Sequence, residues 1–122
     1  DIYGDEFNYY FVHVKRTDSN GEDGNFQGKA KVLEEIDKHI PRLLKLNPEV
    51  LIVTGDHSTP CAMKSHSWHP VPTLLKSKYA IKDDVTEFNE IACSRGILGI
   101  RPGVQLMGLA LANALRLDKY GA

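Results

Sequence analysis

Apolar and polar positions divide the chain into a few readable stretches. Residues 8–15 (NYYFVHVK) are aromatic and β-branched, the composition of a strand, and they run into a polar, glycine-containing stretch, 16–24, that reads as a loop. From about Phe26 the apolar positions become Ala30, Val32, Leu33, Ile36, Ile40, Leu43 and Leu44, at the three-and-four spacing of one helix face. Pro41 is expected to kink or restart this helix, because it lacks the N–H that the backbone ladder uses. Val50-Leu51-Ile52-Val53 is apolar on both faces, as a central parallel strand is.

Strand, crossover helix and buried strand compose a βαβ unit, so the two strands are expected to be parallel with a right-handed connection. The loops after Lys15 and after Val53 then open at one sheet edge, the edge where open α/β sheets bind ligands. Residues 70–75 (PVPTLL) read as a further extended segment, with prolines tolerable at an edge or a strand start. Residues 79–99 carry no clear period. Residues 103–117 (GVQLMGLALANALRL) have helical spacing and few charges, which predicts a well-buried helix opened by Pro102.

Composition narrows the class without changing this outline. The 122 residues are 42% apolar, with 15 basic against 16 acidic side chains, as in one ordinary globular domain. A net charge of −1 with interleaved signs offers no basic stripe for phosphate backbones, so nucleic acid is not an expected partner. The longest mainly apolar stretch, 96–117, is broken by Arg101, Pro102, Gln105, Asn113 and Arg116 and does not read as a membrane span. Cys61 and Cys93 lie outside any CxxC pair, and the expectation is two reduced thiols in a cytoplasmic protein.

Chemistry gathers in the two polar loops. Three of the five histidines fall between positions 57 and 69, in HSTPCAMKSHSWHP, and Asp56 immediately precedes the first. The earlier loop, TDSNGEDG, adds Asp18, Glu22 and Asp23. If both loops share an edge, Asp18, Glu22, Asp56, His57 and His66 converge on one or two divalent ions, since carboxylate and imidazole together suit Zn²⁺ or Mn²⁺. Two such ions about 4 Å apart would clamp the attacking and leaving oxygens of a phosphoryl transfer. A GxxxxGK[ST] loop, a GxSxG elbow and an HExxH pair are all absent from the sequence. Plainer readings stand beside this one: Asp56 as the cap of a turn, the acids at 18, 22 and 23 as a solvated loop, His13 as a hydrogen-bonded strand residue, His39 as a surface residue, and His69 as a loop support.

The segment Thr54-Gly55-Asp56-His57-Ser58-Thr59-Pro60, followed by His66-Ser67-Trp68-His69-Pro70-Val71-Pro72, resembles the cofactor-independent phosphoglycerate mutases of the archaeal-type branch, within the alkaline phosphatase superfamily. The likeness extends upstream through His13-Val14-Lys15-Arg16-Thr17-Asp18 and downstream to the closing Leu117-Asp118-Lys119-Tyr120-Gly121-Ala122. It implies a three-layer α/β fold with a partly parallel sheet and helices on both faces, of which residues 1–122 form the C-terminal part, containing the βαβ unit. It also implies two divalent metals, Mn²⁺ first and Zn²⁺, Co²⁺ or Mg²⁺ as alternatives. The implied reaction interconverts 2- and 3-phosphoglycerate in glycolysis through a phosphoserine.

By the same resemblance Asp56 and His57 match the ligands of one metal, and Asp18 and His66 those of the other. The family's D-x-x-x-H would place a histidine where this chain has Glu22, read here as a substitute ligand. The nucleophilic serine, an early metal-binding Asp and the lid-like inserted domain have no counterpart in the 122 residues, so the catalytic serine is expected upstream and this stretch by itself is expected to be inactive. Lys15 and Arg16 are read as phosphate contacts, and Ser58 and His69 as pocket residues. The alternatives are a related phosphotransferase or phosphonate enzyme of the superfamily, and a non-catalytic metal-binding or interaction module.

Overall fold

A computed structural model describes residues 6–121. Its elements are helix α1 (Arg16–Glu22), helix α2 (Phe26–Lys45), strand β1 (Val50–Val53), strand β2 (Leu74–Ser77), helix α3 (Glu90–Cys93) and helix α4 (Gln105–Asn113). The fold is mixed α/β. Its sheet among the described residues has two strands, with Val50 opposite Ser77 and Val53 opposite Leu74 in antiparallel register.

The βαβ unit is therefore corrected at its first strand. Residues 8–15 form no strand, and Phe11 and Val12 are exposed. Aromatic and β-branched residues fit a pleated, half-buried surface, but a strand exists only where a partner completes its ladder. β1 finds its partner in the antiparallel β2 instead.

The stretch read as a loop is also corrected: Arg16–Glu22 is helical. Its composition, RTDSNGE, is poor for a helix, and its support comes from packing against α2. Gly24, at φ +71, turns the chain between the two helices, and its N–H donates to the Gly21 carbonyl at 3.0 Å. A glycine in the left-handed region just past a helix end closes it without steric cost.

Asn25 then caps α2 by accepting from the Gly28 N–H at 2.9 Å. Asn25→Ala is expected to lower stability by about 1 kcal/mol, read as a shift of the denaturant midpoint, while Asn25→Asp retains most of the cap. A midpoint unmoved by Ala would mean that tertiary packing alone sets the start of α2. Pro41 lies inside α2 and does not end it. It falls in the last turns, where one missing N–H removes a single rung of the ladder. The predicted stripe holds at Val32, Ile36, Ile40 and Leu43, which are half-buried, and fails at Leu33 and Leu44, which are exposed. Asn47, at φ 49, takes the left-handed position beyond the helix end, a conformation that asparagine tolerates.

The C-terminal helix is shorter and less covered than its sequence predicts. α4 starts at Gln105, two residues into the predicted span, and the left-handed Leu115 at φ 53 lies just beyond its end. None of its residues is fully buried, and β1 is the element it packs on. The Ser77 hydroxyl donates to Asn113 Oδ1 at 2.6 Å and ties the end of β2 to α4.

Burial points to the functional end of the molecule. Among the described residues Ala92 is the buried apolar side chain, whereas the buried polar ones are Asp18, 9% exposed, and Thr59, 2% exposed. The best-enclosed contact is thus a polar one, between α1 and the segment after β1.

Candidate metal centre

Asp18 lies in the first turn of α1, where a negative charge is favoured by the free N–H groups of a helix start. One carboxylate oxygen, Oδ2, pairs with the Lys15 ammonium, and the other, Oδ1, accepts from the Thr59 hydroxyl at 2.6 Å. These two partners, Lys15 before Thr59, hold the Asp18 carboxyl at about 2, well below its ordinary 3.8, against a smaller opposing effect of burial. The group is a carboxylate at any physiological pH.

The histidines reach it from the segment after β1. Ser58 and Ser67 form an isolated antiparallel bridge, with the Ser67 N–H donating to the Ser58 carbonyl at 2.9 Å. This closes the intervening loop and sets His57 and His66 side by side, their rings stacked with centroids 3.8 Å apart. His66 Nε2 is 3.4 Å from Asp18 Oδ1, and His57 Nδ1 is 4.0 Å from the same oxygen. One ligand atom from each of Asp18, His57 and His66 lies within 4.8 Å of the others, close enough to share an ion.

The remaining predicted residues sort around this triad. Glu22, one turn along α1 from Asp18, puts Oε1 3.7 Å from His66 Nε2, beside the triad but outside it. Asp56 is largely exposed; its Oδ1 accepts from the His57 N–H at 3.1 Å, and its Oδ2 is 3.6 Å from His57 Nε2. Lys15, read as a phosphate contact, is paired with Asp18. Arg16 is exposed at the start of α1. Ser58 contributes its backbone to the bridge with Ser67. His69 binds the Ser67 hydroxyl through Nδ1 at 2.8 Å and stacks on Trp68 at 5.0 Å, apart from the triad, as a loop support does. His13 lies exposed against Phe11 rather than on a strand, and His39 is on the surface as expected.

Two supports of the site carry little signal in the sequence. Thr59 links Asp18 to His57 through one hydroxyl, 2.6 Å from Asp18 Oδ1 and 3.1 Å from His57 Nδ1. Lys29 of α2 donates to the Thr59 carbonyl at 2.7 Å and fixes the loop on the helices. The available signal for Thr59 was its place two residues after the Asp-His pair; for Lys29, 30 residues away, there was none.

The donor chemistry fits a divalent cation. An ionised carboxylate and two imidazoles suit Zn²⁺ or Mn²⁺, and the carboxylate is itself held by hydrogen bonds of the kind that orient metal ligands. The cluster is enclosed on one side and open on the other: Asp18 is buried, His57 half-buried and His66 exposed.

A mixed α/β scaffold that brings one carboxylate and two imidazoles together has a donor set able to hold a divalent metal. The chain belongs to the Metalloenzyme superfamily, whose family model matches residues 2–113. It is 58% identical over 118 residues to a probable 2,3-bisphosphoglycerate-independent phosphoglycerate mutase of Thermosipho melanesiensis, covering 97% of this chain and 29% of that protein. It is 56% identical over 117 residues to the protein of the same description from Aquifex aeolicus, covering 96% and 29%. Among solved structures it matches the PH0037 protein from Pyrococcus horikoshii with a TM-score of 0.86 and 35% identity, over 92% of this chain and 35% of that one. The chain thus spans about 29% of the length of these curated relatives.

Proposed function

We propose that these residues are the C-terminal, metal-binding part of a 2,3-bisphosphoglycerate-independent phosphoglycerate mutase, a cytoplasmic glycolytic isomerase whose three-layer α/β domain is completed by the remainder of the polypeptide. The observation that carries the reading is the convergence of Asp18, His57 and His66 to within 4.8 Å in a chain of this similarity. The apolar side chains left open, among them Phe11, Leu33, Ile91 and Val104, are the surface that such a remainder would cover.

Asp18, His66 and Glu22 would hold one divalent ion, and Asp56 and His57 a second, with Mn²⁺ favoured and Zn²⁺, Co²⁺ or Mg²⁺ as alternatives. Bound there, the ions supply charge neutralisation for a phosphoryl group in transfer. The chain's own part is to orient. Lys15 and Thr59 hold the Asp18 carboxylate in place, and the Ser58–Ser67 bridge fixes the spacing of the two imidazoles. In the reaction a serine hydroxyl from elsewhere in the polypeptide takes the phosphoryl group from one glycerate oxygen, breaking that P–O bond, and returns it to the other oxygen. The test is interconversion of 2- and 3-phosphoglycerate by the full-length polypeptide, stripped of metal and resupplied with Mn²⁺. Turnover restored by Mn²⁺ is expected; hydrolysis of a phosphonate or another phosphate ester in its place would assign the site to a different member of the superfamily.

Glu22 gives a sharper check. As a ligand its carboxylate adds negative charge and a hard oxygen in place of an imidazole, which favours Mn²⁺ over Zn²⁺. Glu22→Ala is expected to weaken Mn²⁺ binding about tenfold, and Glu22→His to shift preference toward Zn²⁺, both read by calorimetric titration. An Ala variant that matches wild type for both ions would remove Glu22 from the ligand set.

A further inference from the structure

We infer that the Thr59 hydroxyl is a positioning group that fixes His57 with its ring proton on Nδ1, so that Nε2, the nitrogen beside Asp56, carries the free lone pair. The available protons decide the tautomer. A threonine hydroxyl has one hydrogen to donate and lone pairs to accept with, a carboxylate only accepts, and a neutral imidazole has one N–H. Thr59 Oγ1 lies 2.6 Å from Asp18 Oδ1 and 3.1 Å from His57 Nδ1. Its single hydrogen goes to the carboxylate, the charged and closer acceptor, because charge-assisted bonds are the shorter and stronger ones. Toward His57 the hydroxyl can then only accept, which requires the hydrogen on Nδ1. Thr59 is 2% exposed, which leaves its hydroxyl no room to turn toward solvent instead.

The consequence concerns the other nitrogen. With Nδ1 protonated, Nε2 is bare, and it faces Asp56 Oδ2 at 3.6 Å. In the neutral ring these two acceptor atoms face each other, and either a proton on Nε2 or a metal cation would join them. Thr59 thereby divides the cluster: it holds His57 by Nδ1 close to Asp18 but directs the ligating nitrogen to Asp56. Only this consequence rests on the reading of His57 as a metal ligand; the tautomer itself does not.

Long-range proton–nitrogen correlation spectra of the full-length polypeptide, labelled at histidine, metal-free and in mildly alkaline buffer, report the tautomer of each ring. The His57 signal is assigned by its loss in His57→Gln. Wild type and Thr59→Ser are expected to show the Nδ1–H form, and Thr59→Val, which keeps the shape without the hydroxyl, to move to the Nε2–H form. In parallel, Mn²⁺ affinity is expected to fall about 10- to 100-fold in Thr59→Val and to remain close to wild type in Thr59→Ser. An Nε2–H signal in the wild type overturns the assignment whether or not the Val variant folds, and so does an unchanged tautomer in a folded Val variant. If no form of the protein binds a divalent ion while the tautomers behave as expected, the positioning role stands and the metal-ligand reading of His57 falls.

Discussion

Asp18→Asn should reduce divalent-metal affinity by about 100-fold or more while leaving the fold in place. Loss of an outer partner of a metal ligand typically costs 10- to 100-fold, and Asp18 is proposed as a ligand itself. Asn keeps the size of the side chain and a carbonyl oxygen that can still accept from Thr59, so helix α1 and the segment after β1 remain joined. What it removes is the negative charge that pairs with the Lys15 ammonium and faces the His66 Nε2 at 3.4 Å. Calorimetric titration with Mn²⁺ checks the expectation, and an Asn variant with wild-type affinity would exclude Asp18 from the site.

The same substitution has a signature in acid. The Asp18 carboxyl is held at about 2, below the ordinary 3.8, first by the Lys15 hydrogen bond and then by Thr59. A carboxyl whose folded value is depressed stabilises the fold above the unfolded value, and that contribution disappears as the pH falls through the folded one. Metal-free wild type should therefore lose stability between about pH 4 and pH 2 by an increment that Asp18→Asn lacks. Denaturant midpoints followed across that range would show the difference, and parallel curves would mean that Lys15 and Thr59 do not hold the carboxyl as the geometry indicates.

The sequence made α2 and β1 legible for different reasons than it made the site legible. Val32, Ile36, Ile40 and Leu43 repeat with the period of a helix, and Val50 to Val53 form an unbroken apolar run, so local pattern and final structure coincide. Residues 8–15 have the same kind of local signal and are not a strand, because pairing is a property of two segments and composition speaks for one. α1 fails in the opposite direction. Asn20, Gly21 and Asp18 favour turns, yet the packing of the helix on α2 and against Thr59 overrides a propensity of a few tenths to about 1 kcal/mol per residue. The ligand candidates were readable because side-chain chemistry is written at each position and the motif spacing at 54–60 and 66–72 is distinctive. Their supports, Thr59 and Lys29, were not readable, since a threonine or a lysine acquires a role only when a partner 41 or 30 residues away arrives beside it.

Gly21→Ala is expected to destabilise the protein by about 1–3 kcal/mol and to weaken metal binding about 10- to 100-fold, although Gly21 offers no ligand atom. An alanine methyl built there would overlap the Thr59 carbonyl oxygen and lie 2.9 Å from Thr59 Cγ2. That carbonyl cannot withdraw freely, because the Lys29 ammonium holds it at 2.7 Å. Helix propensity pulls the other way, since Ala is favoured over Gly by about 1 kcal/mol inside a helix. The clash wins because its obstacle is backbone rather than the loose end of a side chain. Either α1 or the segment after β1 must move, and the Asp18–Thr59 hydrogen bond spans that boundary. Gly108→Ala in α4 is the control: its methyl would meet Tyr120 at 4.0 Å, ordinary contact, so the propensity gain should stand alone and the variant should be neutral or slightly stabilised. If Gly21→Ala behaves like Gly108→Ala in denaturant midpoint and in Mn²⁺ titration, then the close approach of α1 to Thr59 does not hold the ligands.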